Sequence, residues 1–128
     1  MVFKIIGIHH IELTVSNLEN SRIFYEKLPG FKVVAKYPNF IMFFTGSFYL
    51  GLTDHKGKQK EKKFSEFNVG MDHVSFEVNT KEDLNNALSF FDQEKIPHGE
   101  IKKLSNNSYV LAFRDPDNIQ LELAFKEK

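Results

Sequence analysis

Residues 9–15 read HHIELTV and residues 72–78 read DHVSFEV. Successive side chains on a strand point to opposite faces. In the first stretch His10, Glu12 and Thr14 therefore share one face, opposite Ile11, Leu13 and Val15. In the second, His73, Ser75 and Glu77 oppose Val74, Phe76 and Val78. Each stretch predicts a strand with one apolar and one ionisable face, and the two histidines lie 63 residues apart.

The surroundings of the two strands repeat as well. After the first comes SNLENSRIFYEKLPGF (16–31), where Ser16 and Glu19 have capping-box spacing and Leu18, Ser21, Tyr25 and Leu28 follow a helical period. Pro29-Gly30 ends that helix. FKVVAKY (31–37), IMFFT (41–45) and FYLGLTD (48–54) then read as strands, separated by turn signals at Pro38-Asn39 and Gly46-Ser47. After the second comes TKEDLNNALSFFDQEKI (80–96), with Thr80 placed to cap a helix and Leu84, Ala87, Leu88 and Phe91 forming one stripe. Extended segments follow at about 100–104, 109–114 and 119–125, the last two joined by DPDN at 115–118.

Strand, helix, strand, strand, strand thus occurs twice. One copy alone would leave a sheet face unprotected, so the expected fold is α+β, with paired βαβββ modules forming a curved, cupped mixed sheet and helices on its outer face. The expected organisation is a single domain over 1–128, with module one at 1–54, a lysine-rich linker at 55–69 and module two at 70–128.

Seventeen Lys plus Arg balance seventeen Asp plus Glu, so no global field favours nucleic acid or an anionic membrane. The absence of cysteine excludes disulfides, thiolate zinc sites and a Cys nucleophile. The first fifteen residues are apolar but broken by Lys, His and Glu, with no small-residue cleavage site and too short a run to span a bilayer. A soluble, cytoplasmic protein is expected. Fourteen phenylalanines and no tryptophan suggest an aromatic core.

Parity also puts Glu122 on the polar face of the last strand, opposite Ile119, Leu121 and Leu123. Two histidines at equivalent repeat positions plus a carboxylate make up a two-His-one-carboxylate set, which holds a divalent metal and leaves coordination positions open. His9 shares parity with the apolar residues and reads as a packed or edge histidine. His55 and His98 fall in loop-like stretches and receive no role.

HIELTVSNLENSRIFYEKLPGF (10–31), DHVSFEV (72–78) and FRDPDNIQLEL (113–123) resemble the vicinal oxygen chelate superfamily. That group includes glyoxalase I, extradiol dioxygenases, fosfomycin- and bleomycin-resistance proteins and methylmalonyl-CoA epimerase. The resemblance implies metal ligands at His10, His73 and Glu122, a divalent ion (Fe, Mn, Ni or Zn), and a small-molecule substrate that chelates it through neighbouring oxygens. It also implies a homodimer. Glyoxalase I proteins carry a further glutamate on the last strand of the first module, where this chain has Gly51. Glu12 and Tyr49 are the polar-face candidates for substrate binding, and no catalytic residue is assigned. Ser105–Ser108 fall where fosfomycin enzymes have a polar loop touching ligand or cation. The rival expectation is a metal-free, antibiotic-binding resistance protein of the bleomycin or fosfomycin kind, in which Phe43, Phe44, Tyr49 and Tyr109 would line the ligand cleft.

Overall fold

The computed structural model describes residues 2–127. The chain divides into two compact units, one ending at Lys62 and the other beginning at Lys63. Together they contain two four-stranded mixed sheets and two α-helices.

In the first unit, strand β1 (His10–Thr14) leads into helix α1 (Leu18–Glu26), then β2 (Lys32–Tyr37), β3 (Phe40–Phe44) and β4 (Tyr49–Thr53). The strand order is β1-β4-β3-β2, with β1 parallel to β4 and the remaining pairs antiparallel. Leu13, Val15, Ile41, Phe43, Leu50 and Leu52 are buried together with Phe24, Tyr25 and Leu28 of the helical region, which is the apolar face the alternation predicts. Tyr25 packs edge-on to Phe24 and parallel to Phe31, while Phe43 closes on both Tyr25 and Phe31. The helix cap lies one residue later than its expected place. Asn17, not Ser16, accepts the hydrogen bond from the Asn20 N–H, at 3.0 Å, because its amide oxygen reaches the exposed N–H groups of the first turn. Glu19 pairs with Arg22 instead of folding back on the cap.

The second unit repeats this plan with β5 (Val74–Glu77), α2 (Lys81–Gln93), β6 (Lys102–Lys103), β7 (Ser108–Arg114) and β8 (Gln120–Lys126), in the order β5-β8-β7-β6. Here β5 is the strand parallel to its neighbour β8. Thr80 and Asp83 form a complete capping box at the start of α2. Leu84 and Phe91 are fully buried on its inner stripe, and Phe91 stacks on Phe113 of β7 with ring centroids 4.5 Å apart. In the DPDN turn, Asp115 Oδ1 accepts from the N–H groups of both Asp117 and Ile119, at 2.8 Å each. That arrangement fixes where β8 begins.

The lysine-rich segment is tied to both units by hydrogen bonds. Gln59 Nε2 donates to the carbonyls of Val15 and Ser16 in the first unit. In the second, the Phe64 N–H donates to the Asp117 carbonyl at 2.7 Å. No helix among the described residues is long and apolar enough to cross a membrane.

Candidate functional site

His10 opens β1, and the alternation holds: His10, Glu12 and Thr14 are exposed while Leu13 is buried. His9 is also exposed, so it does not pack in the core. Its Nδ1 lies 2.8 Å from Nδ1 of His10 and its ring lies beside Tyr49. Nε2 of His10 thereby remains the ring atom not engaged by His9. Tyr49 is the register partner of His10 on β4 and touches Phe44. Glu12 is paired with Gly51, and a Cβ placed on Gly51 would stand 3.2 Å from Cγ of Glu12 and 2.9 Å from the Phe40 ring. Position 51 therefore has no room for the side chain that glyoxalase I proteins would place there.

In the second unit His73 immediately precedes β5, with its polar face continued by Ser75. Ser75 and Glu122 are register partners across the β5–β8 pair. The Ser75 hydroxyl donates to Glu122 Oε1 at 2.9 Å, and His73 Nε2 faces the same oxygen at 3.8 Å. His73 Nδ1 lies 2.7 Å from Asp72 Oδ1. A carboxylate only accepts, so Nδ1 donates and the lone pair of the neutral ring is on Nε2, toward Glu122.

That geometry fits a cation. Two bonds of about 2.0–2.2 Å, the ordinary length for nitrogen and carboxylate ligands, span a gap of 3.8 Å. The donor types, imidazole nitrogen and carboxylate oxygen, suit Fe, Mn, Ni or Zn. The structure thus brings together His73 and Glu122, while His10 is described with the other unit. Among the described residues no group of three or more His, Asp or Glu side chains forms a metal cluster.

The two modules match position by position. Glu12–Gly51 in the first occupies the register that Ser75–Glu122 occupies in the second. Each parallel pair carries one carboxylate at this level, on the entering strand in the first module and on the closing strand in the second.

Other expected contributors separate. Phe43 is wholly buried against Tyr25 and Phe31, so it belongs to the core and cannot line a ligand cleft. Phe44 and Tyr49 remain accessible. Residues 105–108 form a tight turn, in which the Ser108 N–H donates to Asn106 Oδ1 and Asn107 has φ of 65°. His55 Nε2 lies 3.0 Å from the Thr14 hydroxyl.

Sequence reading missed a set of polar residues behind His73. Gln120 Nε2 donates to both the carbonyl and Oδ1 of Asp72, at 3.1 and 2.9 Å. Arg114 makes a two-pronged pair with Glu66, at 3.1 and 2.8 Å, and a third hydrogen bond to Gln120 Oε1. The only signal in the sequence was the shared parity of Gln120 with Glu122. The Arg114 hydrogen bonds, together with one from the backbone at Glu66, hold the Glu66 carboxyl down to about 2.

The profile of the Glyoxalase/Bleomycin resistance protein/Dioxygenase superfamily matches residues 7–123, and the chain belongs to that superfamily. It is 29% identical over 127 aligned residues to the uncharacterized protein YqjT of Bacillus subtilis (strain 168), covering 90% of this chain and 95% of that one. Its fold is similar to the glyoxylase/bleomycin resistance protein/dioxygenase domain from Frankia sp. EAN1pec, with a TM-score of 0.86, 27% identity, and coverage of 98% and 95%. It is also similar to lactoylglutathione lyase from Agrobacterium tumefaciens, with a TM-score of 0.76, 23% identity, and coverage of 93% and 92%. At that identity the second likeness concerns the fold.

Proposed function

We propose that this protein is a metal-dependent enzyme that takes His73, Glu122 and His10 as ligands to one divalent ion and acts on a small substrate bearing two neighbouring oxygens. The observation that carries the reading is the face-to-face placement of His73 Nε2 and Glu122 Oε1, 3.8 Å apart, with the other ring nitrogen already committed to Asp72. A bound divalent ion would supply Lewis acidity toward the substrate oxygens.

The chain's own residues do the remaining work. Ser75 holds the Glu122 carboxylate through its hydroxyl. Glu12, the register partner of Gly51, is the carboxylate offered for accepting a substrate proton, and the hydroxyl of the exposed Tyr49 is the group offered for orienting the substrate. A homodimer belongs to the same reading, and its mass in solution tests it.

The experiment is reconstitution of the purified protein with Fe, Mn, Ni or Zn, followed by elemental analysis of wild type and of His10→Ala, His73→Ala and Glu122→Ala. The wild type should hold one equivalent and each variant should lose most of it while keeping its fold. Full metal content in His73→Ala would end this reading. The accessible Tyr49–Phe44 pair, with ring centroids 5.1 Å apart, favours a second one, a binding protein that captures an aromatic ligand without metal. A wild type that takes up no metal, yet binds an aromatic ligand through Tyr49, would establish it.

A further inference from the structure

We propose that Asp72 and Gln120, anchored by Arg114 and Glu66, are positioning residues that fix the His73 ring with its Nδ1 protonated and its Nε2 lone pair directed at Glu122. The proposal deepens the metal-ligand reading, on which it rests for its purpose though not for its geometry.

Arg114 has donors only. Its guanidinium gives two hydrogen bonds to Glu66, one to the Asn118 carbonyl at 3.1 Å, and one to Gln120 Oε1 at 3.3 Å. Because the Gln120 oxygen is taken by a donor, its NH₂ end must point the other way, and that end reaches the carbonyl and carboxylate of Asp72. Asp72 Oδ1 therefore receives the Gln120 N–H and, at 2.7 Å, the His73 Nδ1–H. No hydrogen bond in this chain can reverse without setting two donors or two acceptors against each other.

Packing supports the same direction. Arg114 and Gln120 are register partners on β7 and β8, so the sheet itself sets their separation. Glu122 lies two residues beyond Gln120 on the same strand face, where Ser75 holds it. One strand thus carries both the residue that orients the imidazole from behind and the carboxylate that the imidazole faces. The Asp72 side chain, by contrast, is 66% exposed. Its place beside a solvent-accessible ring is not required to fill the core, which separates its role from a purely structural one.

Partners behind a metal-binding histidine typically alter metal affinity by about 10- to 100-fold. The test combines two readouts on Asp72→Ala, Asp72→Asn and Gln120→Leu, with amide spectra confirming the fold of each. The first is the ¹⁵N signature of the His73 ring in the metal-free protein, at a pH where histidine rings are neutral. Wild type should show a protonated Nδ1, and Asp72→Ala should shift the ring toward protonated Nε2. Asp72→Asn should retain the wild-type form, because its amide oxygen still accepts, and Gln120→Leu should fall between.

The second readout is Zn²⁺ affinity by chelator competition, which should fall about 10- to 100-fold in Asp72→Ala. A wild-type ring protonated on Nε2, or a tautomer indifferent to Asp72→Ala, overturns the proposal. If the tautomer responds as stated but wild type and Glu122→Ala bind Zn²⁺ equally, the positioning chain stands and the ligand reading fails.

Discussion

Asp92 Oδ1 and His98 Nε2 lie 2.6 Å apart, joining the last turn of α2 to the segment that enters the second sheet. The other ring nitrogen is 2.6 Å from the Gly99 carbonyl. Both partners only accept, so the doubly protonated imidazolium suits the site. The hydrogen bond to Asp92, followed by that to the Gly99 carbonyl, raises the His98 pKa above the ordinary 6.5. A pKa raised by folding contributes stability that is fully present below the unfolded value and lost as pH rises through the folded one. Thermal denaturation should show wild type losing more stability than Asp92→Asn as pH rises from below the ordinary histidine value of 6.5 through the raised one. Parallel curves for the two proteins would contradict the assignment.

The Phe40 ring closes over Gly51. A Cβ at 51 would stand 2.9 Å from the ring and 3.2 Å from Glu12 Cγ, so Gly51→Ala should cost about 1–3 kcal/mol, the usual penalty of overpacking. Phe40→Ala should remove most of that penalty. In a double-mutant cycle by chemical denaturation, the combined variant should be more stable than the sum of the single effects implies.

Glu66 and Arg114 latch residues 64–68 to the DPDN turn. Because Arg114 holds the Glu66 carboxyl down to about 2 rather than 4.5, the latch contributes above the ordinary carboxylate range and is lost as pH falls toward about 2. The Phe64 amide, bonded to the Asp117 carbonyl, should stay protected from hydrogen exchange at about pH 4 in wild type. Glu66→Gln should exchange faster at the same pH.

Thr80 accepts from the Asp83 N–H while Asp83 returns the contact to the Thr80 N–H. Thr80→Ala should therefore lower stability by about 1 kcal/mol, the ordinary worth of a lost N-cap. Thr80→Asp should restore most of it. Urea midpoints at constant slope provide the check.

Local pattern reveals local structure, and the legible parts of this chain follow that division. Parity alone placed His10, Glu12, His73 and Glu122 on polar faces, since side-chain alternation depends only on neighbouring residues. The repeat added the two-module plan of strand, helix and three strands, while the parallel pairing of β1 with β4 and of β5 with β8 comes from the structure. Asn17 displaced Ser16 as cap because both residues are good acceptors and only the backbone geometry chooses between them. The chain behind His73 was not legible for a different reason. Its links join residues 48 apart, Glu66 to Arg114 and Asp72 to Gln120, and no periodicity ties a glutamine on a closing strand to an aspartate ahead of another. Phe43 and Phe44 fall under the local rule instead: both are aromatic, and strand parity sends Phe43 into the core while Phe44 stays half-buried.

Positions 51 and 122 hold the same address in two copies of one folding unit, and one is glycine where the other is glutamate. A coding sequence that contains its scaffold twice has a spare. Mutation can exchange a reactive group in one half while the other half keeps its own, so chemistry is free to diverge without the architecture being rebuilt.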